Sequence, residues 1–324
     1  MYEQFYGLKE KPFEITPDPR FLYMSEQHRE AYAHLTYALN ESKGFTVITG
    51  EVGTGKTTLI QMLLARLDGH TRTAHLFNPK LSTRDFLKYI CHDLGLRTEG
   101  LTTKGELLML LHNFLLECYA RKERVVLIID EAQTLSPKLL EEVRLLTNLE
   151  TPKTKLLQVI LMGQPELDTI LADQRFRQLK QRISVRYRLN PLNQDETKEY
   201  IEKRLKVAGA RDSHLFDEGA VREIYRRSSG IPRLINVLCD NALVTGYVEE
   251  KRPIDKQVIR DVAKDMEGPA MAQRPAWNYV FASVVFLIVI VGIVFFWARE
   301  VSLGDLPSTL ESAGNVFRAR ILRQ

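Results

Sequence analysis

Nine consecutive residues, Gly50-Glu51-Val52-Gly53-Thr54-Gly55-Lys56-Thr57-Thr58, combine three glycines, one ammonium group and three hydroxyls. Their spacing fits GxxxxGK[ST]. Glycines so placed let successive backbone N–H groups turn inward around phosphate oxygens, at the positive end of a following helix. Lys56 is then expected to reach the β- and γ-phosphates of a nucleotide, and the Thr57 hydroxyl to ligate Mg²⁺. The flanks agree with that chemistry: the apolar run Phe45–Thr49 leads into the loop, and a helical stretch from Leu59 to Leu67 leads out of it.

A second run, Val125–Ile129, ends in Asp130 and Glu131, 74 positions beyond Lys56. Asp130 is expected to hold Mg²⁺ through water, and Glu131 to polarise the attacking water as general base. Gln164 follows the run Leu157–Met162, where a polar side chain sits beside the γ-phosphate and orients the water. Arg175, Arg177, Lys180 and Arg182 gather before Val185–Leu189. Arg182 is the choice for an arginine finger offered to a neighbouring subunit, which predicts a homo-oligomer, ring or dimer. Gly230-Ile231-Pro232-Arg233 opens a helix, and Arg233 there can fold over bound phosphates. No NKxD motif occurs, so a small GTPase fits poorly; ATP with Mg²⁺ is the expected pair.

Five apolar runs suit buried parallel strands: Phe45–Thr49, Thr73–Phe77, Val125–Ile129, Leu157–Met162 and Val185–Leu189. Helical spacing fills the gaps between them, which predicts a doubly wound α/β sheet. The glutamate beside Asp130 and the strand intervening before it point to a P-loop NTPase of the additional-strand division. Residues 1–189 are expected to form this nucleotide-binding domain. From 190 to 267 strand signals stop and helical patterns continue, predicting a small helical lid. The charge balance, 45 Lys plus Arg against 41 Asp plus Glu, is too even for the dense basic stripe of a nucleic-acid binder. The three cysteines are widely spaced and the seven histidines form no HExxH or nucleophile pair, so both sets read as structural.

Residues 268–276 read as a linker. Trp277 to Trp297 is 21 residues without a charge, about 31 Å as a helix, with aromatic rings near both ends. This predicts a single transmembrane helix. Arg260, Lys264 and Arg274 on its amino side favour a cytoplasmic amino-terminal bulk at the inner membrane. The last 27 residues, 298–324, fit either a short amphipathic helix or a frayed tail.

With these residues in place, the chain resembles AAA+ ATPases of the general secretion pathway A type, the ExeA-like group. The likeness rests on Phe5-Tyr6-Gly7-Leu8, Pro12-Phe13, Pro17–Tyr23, Gly50–Thr58, Ile128–Gln133, Leu161–Leu167, Gln181–Leu189 and Gly230–Asn236. It implies nucleotide binding by Gly53, Gly55, Lys56 and Thr57, and catalysis by Asp130 and Glu131. Gln164, Arg182 and Arg233 match the first sensor, the finger and the second sensor. Adenine enclosure is implied loosely for Pro12-Phe13. Members of that group carry a peptidoglycan-binding domain beyond their membrane helix, and 27 residues cannot contain one. The architecture is closer to shorter relatives that accompany exopolysaccharide export. The expected function is therefore a membrane-anchored ATPase driving an envelope secretion or export system, with envelope export proteins as partners. The alternative is a DNA-transposition-type or regulatory AAA+ adaptor, against which the membrane span and mild charge count.

Overall fold

The computed structural model describes residues 1–266, apart from 17, 78, 153 and 213. The expected linker, transmembrane helix and tail (268–324) lie outside the described residues. Among the described residues no helix is long and apolar enough to cross a membrane.

Five strands, β1 (Phe45–Gly50), β2 (Thr71–Leu76), β3 (Arg124–Ile129), β4 (Gln158–Gly163) and β5 (Val185–Leu189), form one sheet in the order β2-β3-β4-β1-β5. Every adjacent pair is parallel. Each lies where an apolar run of the sequence predicts it. The central strands β1, β3 and β4 are rich in β-branched residues and almost wholly buried, because helices cover both faces of a parallel sheet, whereas the edge strands β2 and β5 interleave polar residues with buried ones. β1 and β4 are buried along their whole length. β4 stands between β1 and β3, so the strand ending at Gln164 separates the glycine-rich loop from Asp130. That is the additional strand.

Side chains two apart on a strand share a face. Ile48, Val126, Ile128, Ile160 and Met162 pack with α2 (Glu26–Asn40) and α3 (Lys56–Arg66). Val47, Leu127, Ile129, Val159 and Leu161 belong to the cluster on the other face. Its helices are α4 (Thr83–Asp93), α5 (Lys104–Ala120), α6 (Pro137–Leu146) and α7 (Glu166–Ala172), with the short α8 (Arg177–Lys180) beyond. Local signals start these helices at fixed points. Thr103 and Glu106 form a reciprocal capping box on α5, and Ser136 caps α6 with Pro137 in its first turn.

Among the described residues four helices follow β5, α9 (Gln194–Val207), α10 (Glu218–Ser228), α11 (Pro232–Val248) and α12 (Lys256–Met266). Asn193 with Glu196 boxes the start of α9, and Asp217 caps α10. Glu223 of α10, nearly fully buried, takes Arg226 and Arg227 of its own helix and Arg260 of α12, tying those two helices. The helical cluster holds more than residues after 190. Tyr2 and Tyr6 of α1 (Tyr2–Tyr6), with Leu8, Phe13 and Phe21, are buried in it, and the Tyr2 hydroxyl donates to Asp240 at 2.5 Å. The amino-terminal 21 residues, expected with the sheet, thus give their apolar side chains to the helices.

Candidate nucleotide-binding site

β1 delivers the chain at Gly50 into the loop 51–55, and α3 begins at Lys56. Gly53 and Gly55 hold φ of +83° and +98°, a region that L side chains rarely enter. Space also forbids a side chain there. A Cβ on Gly53 would lie 2.6 Å from Cβ of Arg233, and one on Gly55 would lie 2.8 Å from Nε2 of His28. Gly55 is the N-cap of α3 and brings no capping side chain. The first-turn N–H groups, with the positive end of the helix dipole, therefore face the loop's concavity.

The Lys56 ammonium curls back into that loop, donating to the carbonyls of Gly50 at 2.8 Å and Glu51 at 2.9 Å. Burial pulls its pKa below the ordinary value, while the carboxylates of Glu131 and Asp130 act in the opposite sense. The Thr54 hydroxyl also donates to the Glu51 carbonyl, closing the loop from inside. Val52 at the loop's tip is exposed, and Thr58 faces the cavity from the first turn of α3.

The end of β3 comes alongside. Thr57 Oγ1 donates to Asp130 Oδ2 at 3.0 Å, and the Glu131 N–H donates to Asp130 Oδ1 at 2.9 Å. Hard hydroxyl and carboxylate oxygens at the head of a phosphate-cradling helix are the donor set that suits Mg²⁺. These two residues would hold it there. Glu131 has φ of +51°, a strained value for a non-glycine residue. Its Oε2 accepts from the Gln164 side-chain amide at 3.2 Å and from Gln133 Nε2 at 2.6 Å. Gln164 thus arrives at Glu131 from the end of the neighbouring strand β4.

A cavity of about 650 Å³ opens over the loop, of the size that small-molecule sites have. The glycine loop, Lys56, Thr57, Thr58 and Glu131 line it, as do Arg233 and Asn236 of α11. The Arg233 N–H reaches the Gly53 carbonyl at 3.4 Å, so the first turn of α11 touches the glycine-rich loop. The wall expected at Pro12-Phe13 lies further along the chain. Phe13 is buried in the helical cluster edge-on to Phe216, and Glu14 to Tyr23 supply the residues that face the cavity. Phe13 and Phe21 anchor this strap in the helical cluster, and the exposed Ile15 lines the cavity.

Two supporting residues escaped the sequence reading. His28, assigned only a structural role, lies in the first turn of α2 and lines the cavity. Its Nε2–H donates to the Thr54 carbonyl at 2.9 Å, and its Nδ1 accepts from Ser25 Oγ at 2.6 Å. A carbonyl can only accept, which fixes the neutral tautomer; burial keeps the ring's pKa below 6.5. Arg204 of α9 is buried, donating to the carbonyls of Pro12 at 2.6 Å and Glu14 at 3.1 Å and to the Tyr200 hydroxyl at 3.0 Å. It clamps the strap to the helices. Neither residue belongs to a local motif, and His28 and Thr54 are 26 positions apart.

Comparison with known proteins agrees with this geometry. Residues 39–171 match the family described as AAA domain. Over 268 residues the chain is 46% identical to general secretion pathway protein A of Aeromonas hydrophila, covering 83% of this chain and 49% of that protein. The chain belongs to the AAA+ family, of the general secretion pathway protein A type. It spans about half the length of that curated relative. The fold is shared with the ORC2 protein of Aeropyrum pernix (TM-score 0.58, 16% identity, 82% of this chain and 74% of that one). It is shared also with Cdc6p of Pyrobaculum aerophilum (TM-score 0.61, 18% identity, 77% and 71%).

Within this AAA+ fold the candidate residues divide by sheet end. Gly50 ends β1, and Asp130, Glu131 and Gln164 follow the carboxyl ends of β3 and β4, which brings the loop and the three polar side chains together. Arg182 precedes β5, whose Val185 pairs with Thr46 near the amino end of β1. It therefore sits at the opposite end, donating to the Thr147 carbonyl at 3.3 Å and hydroxyl at 3.2 Å. Arg182 is not part of its own chain's cavity.

Proposed function

We propose that this AAA+ protein hydrolyses ATP from the cytoplasmic side of the inner membrane, held there by residues 277–297, and that it drives assembly or operation of an envelope secretion or exopolysaccharide export system. The observation that carries the hydrolytic reading is the hydrogen-bonded series Thr57–Asp130–Glu131–Gln164 beside the glycine-rich loop. Bound Mg·ATP supplies the phosphoryl group and the metal's charge neutralisation. Lys56 and the α3 N–H groups bind the phosphates, and Arg233 lies over them from α11. Gln164 orients the attacking water, and Glu131 takes its proton at a carboxylate oxygen. Likeness to general secretion pathway protein A supports the secretion link, and the charge-free stretch 277–297 supports the anchor.

The full-length protein, purified from membranes, tests this. Lys56→Ala should lose ATP binding, since the ammonium neutralises charge that the backbone cradle leaves uncompensated. Glu131→Gln should bind ATP but turn over at least about 10²-fold more slowly, the low end for loss of a general base. Turnover unchanged in Glu131→Gln would remove that residue from the mechanism. Recovery of the protein in a detergent-free soluble extract would refute the anchor.

A further inference from the structure

Gln133 lies two residues beyond Glu131, in a turn where the Glu131 carbonyl accepts both the N–H of Thr134 at 2.9 Å and its hydroxyl at 2.8 Å. The turn sends the Gln133 side chain back toward the strand ends. Both ends of its amide are used. Nε2 donates to Glu131 Oε2 at 2.6 Å, and Oε1 accepts the backbone N–H of Gln164 at 3.0 Å. Only a nitrogen can donate to the carboxylate and only an oxygen can accept the N–H, so the amide's orientation is determined. Gly163 leaves the room this requires, since a Cβ there would lie 2.9 Å from Gln133 Oε1. The Gln164 side chain then closes a ring by donating to the same Glu131 oxygen.

We infer that Gln133 is a positioning residue for hydrolysis, holding the Glu131 carboxylate and the end of β4 in one fixed relation. This rests on the reading of Glu131 as general base. Without it the carboxylate of a backbone-strained residue would keep the Gln164 amide as its single side-chain donor. Its orientation would then be held by one side-chain donor instead of two. Gln133 touches no phosphate; it acts through Glu131 and Gln164.

The test uses the full-length protein in detergent and two nearly isosteric variants. Gln133→Glu keeps an acceptor for the Gln164 N–H but replaces the donor to Glu131 with a like charge. Gln133→Met removes both. ATP turnover is measured from pH 8 to pH 6, and affinity with a fluorescent ATP analogue. At pH 8 both variants should lose at least about ten-fold in kcat, the lower range for a hydrogen bond to a charged group, with analogue affinity within about two-fold of the parent. Two carboxylates in contact share a proton more readily than one alone, and the shared proton restores a donor. The deficit of Gln133→Glu relative to the parent should therefore narrow toward pH 6, while that of Gln133→Met stays constant. A Gln133→Glu protein with parental kcat at pH 8, or equal and pH-independent deficits in both variants, would overturn the inference. Glu131→Gln serves as control: if it is inactive while Gln133→Glu is fully active, only the positioning role falls. If Glu131→Gln is itself fully active, the general-base reading falls with it.

Discussion

His28 shows how one side chain can support a binding loop through the loop's backbone. Its ring fills the space beside Gly55 and its Nε2–H donates to the Thr54 carbonyl. Burial lowers its folded-state pKa below the 6.5 of an exposed imidazole. The unfolded chain therefore binds more protons as pH falls through 6.5, and stability drops with acidification across that window. His75 on β2 is shifted in the same direction by burial and adds to the slope. We expect thermal midpoints to fall between pH 7 and pH 5, and the fall to be smaller in His28→Gln. Equal slopes in parent and variant would dissociate His28 from that acid sensitivity. Arg204 works by the same kind of indirect support, and an Arg204→Met change should weaken ATP binding more than it slows turnover of bound ATP.

The strands, the loop and the helical character of residues 190–266 were legible in the sequence, because each is written locally. β1, β3 and β4 are compact apolar runs, and α11 opens at Pro232. Asp130, Glu131 and Gln164 were legible for a related reason: each closes such a run, and parallel strands bring their carboxyl ends to one edge. The strap was misplaced because Tyr2, Phe13 and Phe21 are apolar residues with nothing nearby to say which core they join. Arg204, His28 and Gln133 were missed since their partners are set by tertiary approach. The strap's anchoring can be measured. Phe13 is buried to 1% and Phe→Ala changes in cores cost about 3–5 kcal/mol. Phe13→Ala should show that loss in urea unfolding, with weaker nucleotide binding; a loss under 1 kcal/mol would mean that the strap is not held by this ring.

At the scale of the whole molecule, the separation of Arg182 from its own cavity makes assembly testable. If its guanidinium completes a neighbour's site, activity per subunit rises with concentration and with tethering to a membrane surface. Arg182→Ala should bind ATP normally yet lose that dependence, and mixing it with Lys56→Ala should restore some hydrolysis. Failure to complement with intact assembly would confine Arg182 to its own chain, where it holds Thr147. The placement of α1 and the strap also has a consequence for how the chain comes into being. Tyr2 meets Asp240, 238 positions later, so the residues of α1 leave the ribosome long before the partner that satisfies them. At roughly 5–20 residues per second they wait on the order of ten to fifty seconds, and β5, the last strand of the sheet, is made only late in that wait. During that interval the growing polypeptide displays Tyr2, Tyr6, Phe13 and Phe21 without the helices that bury them, a natural substrate for a chaperone.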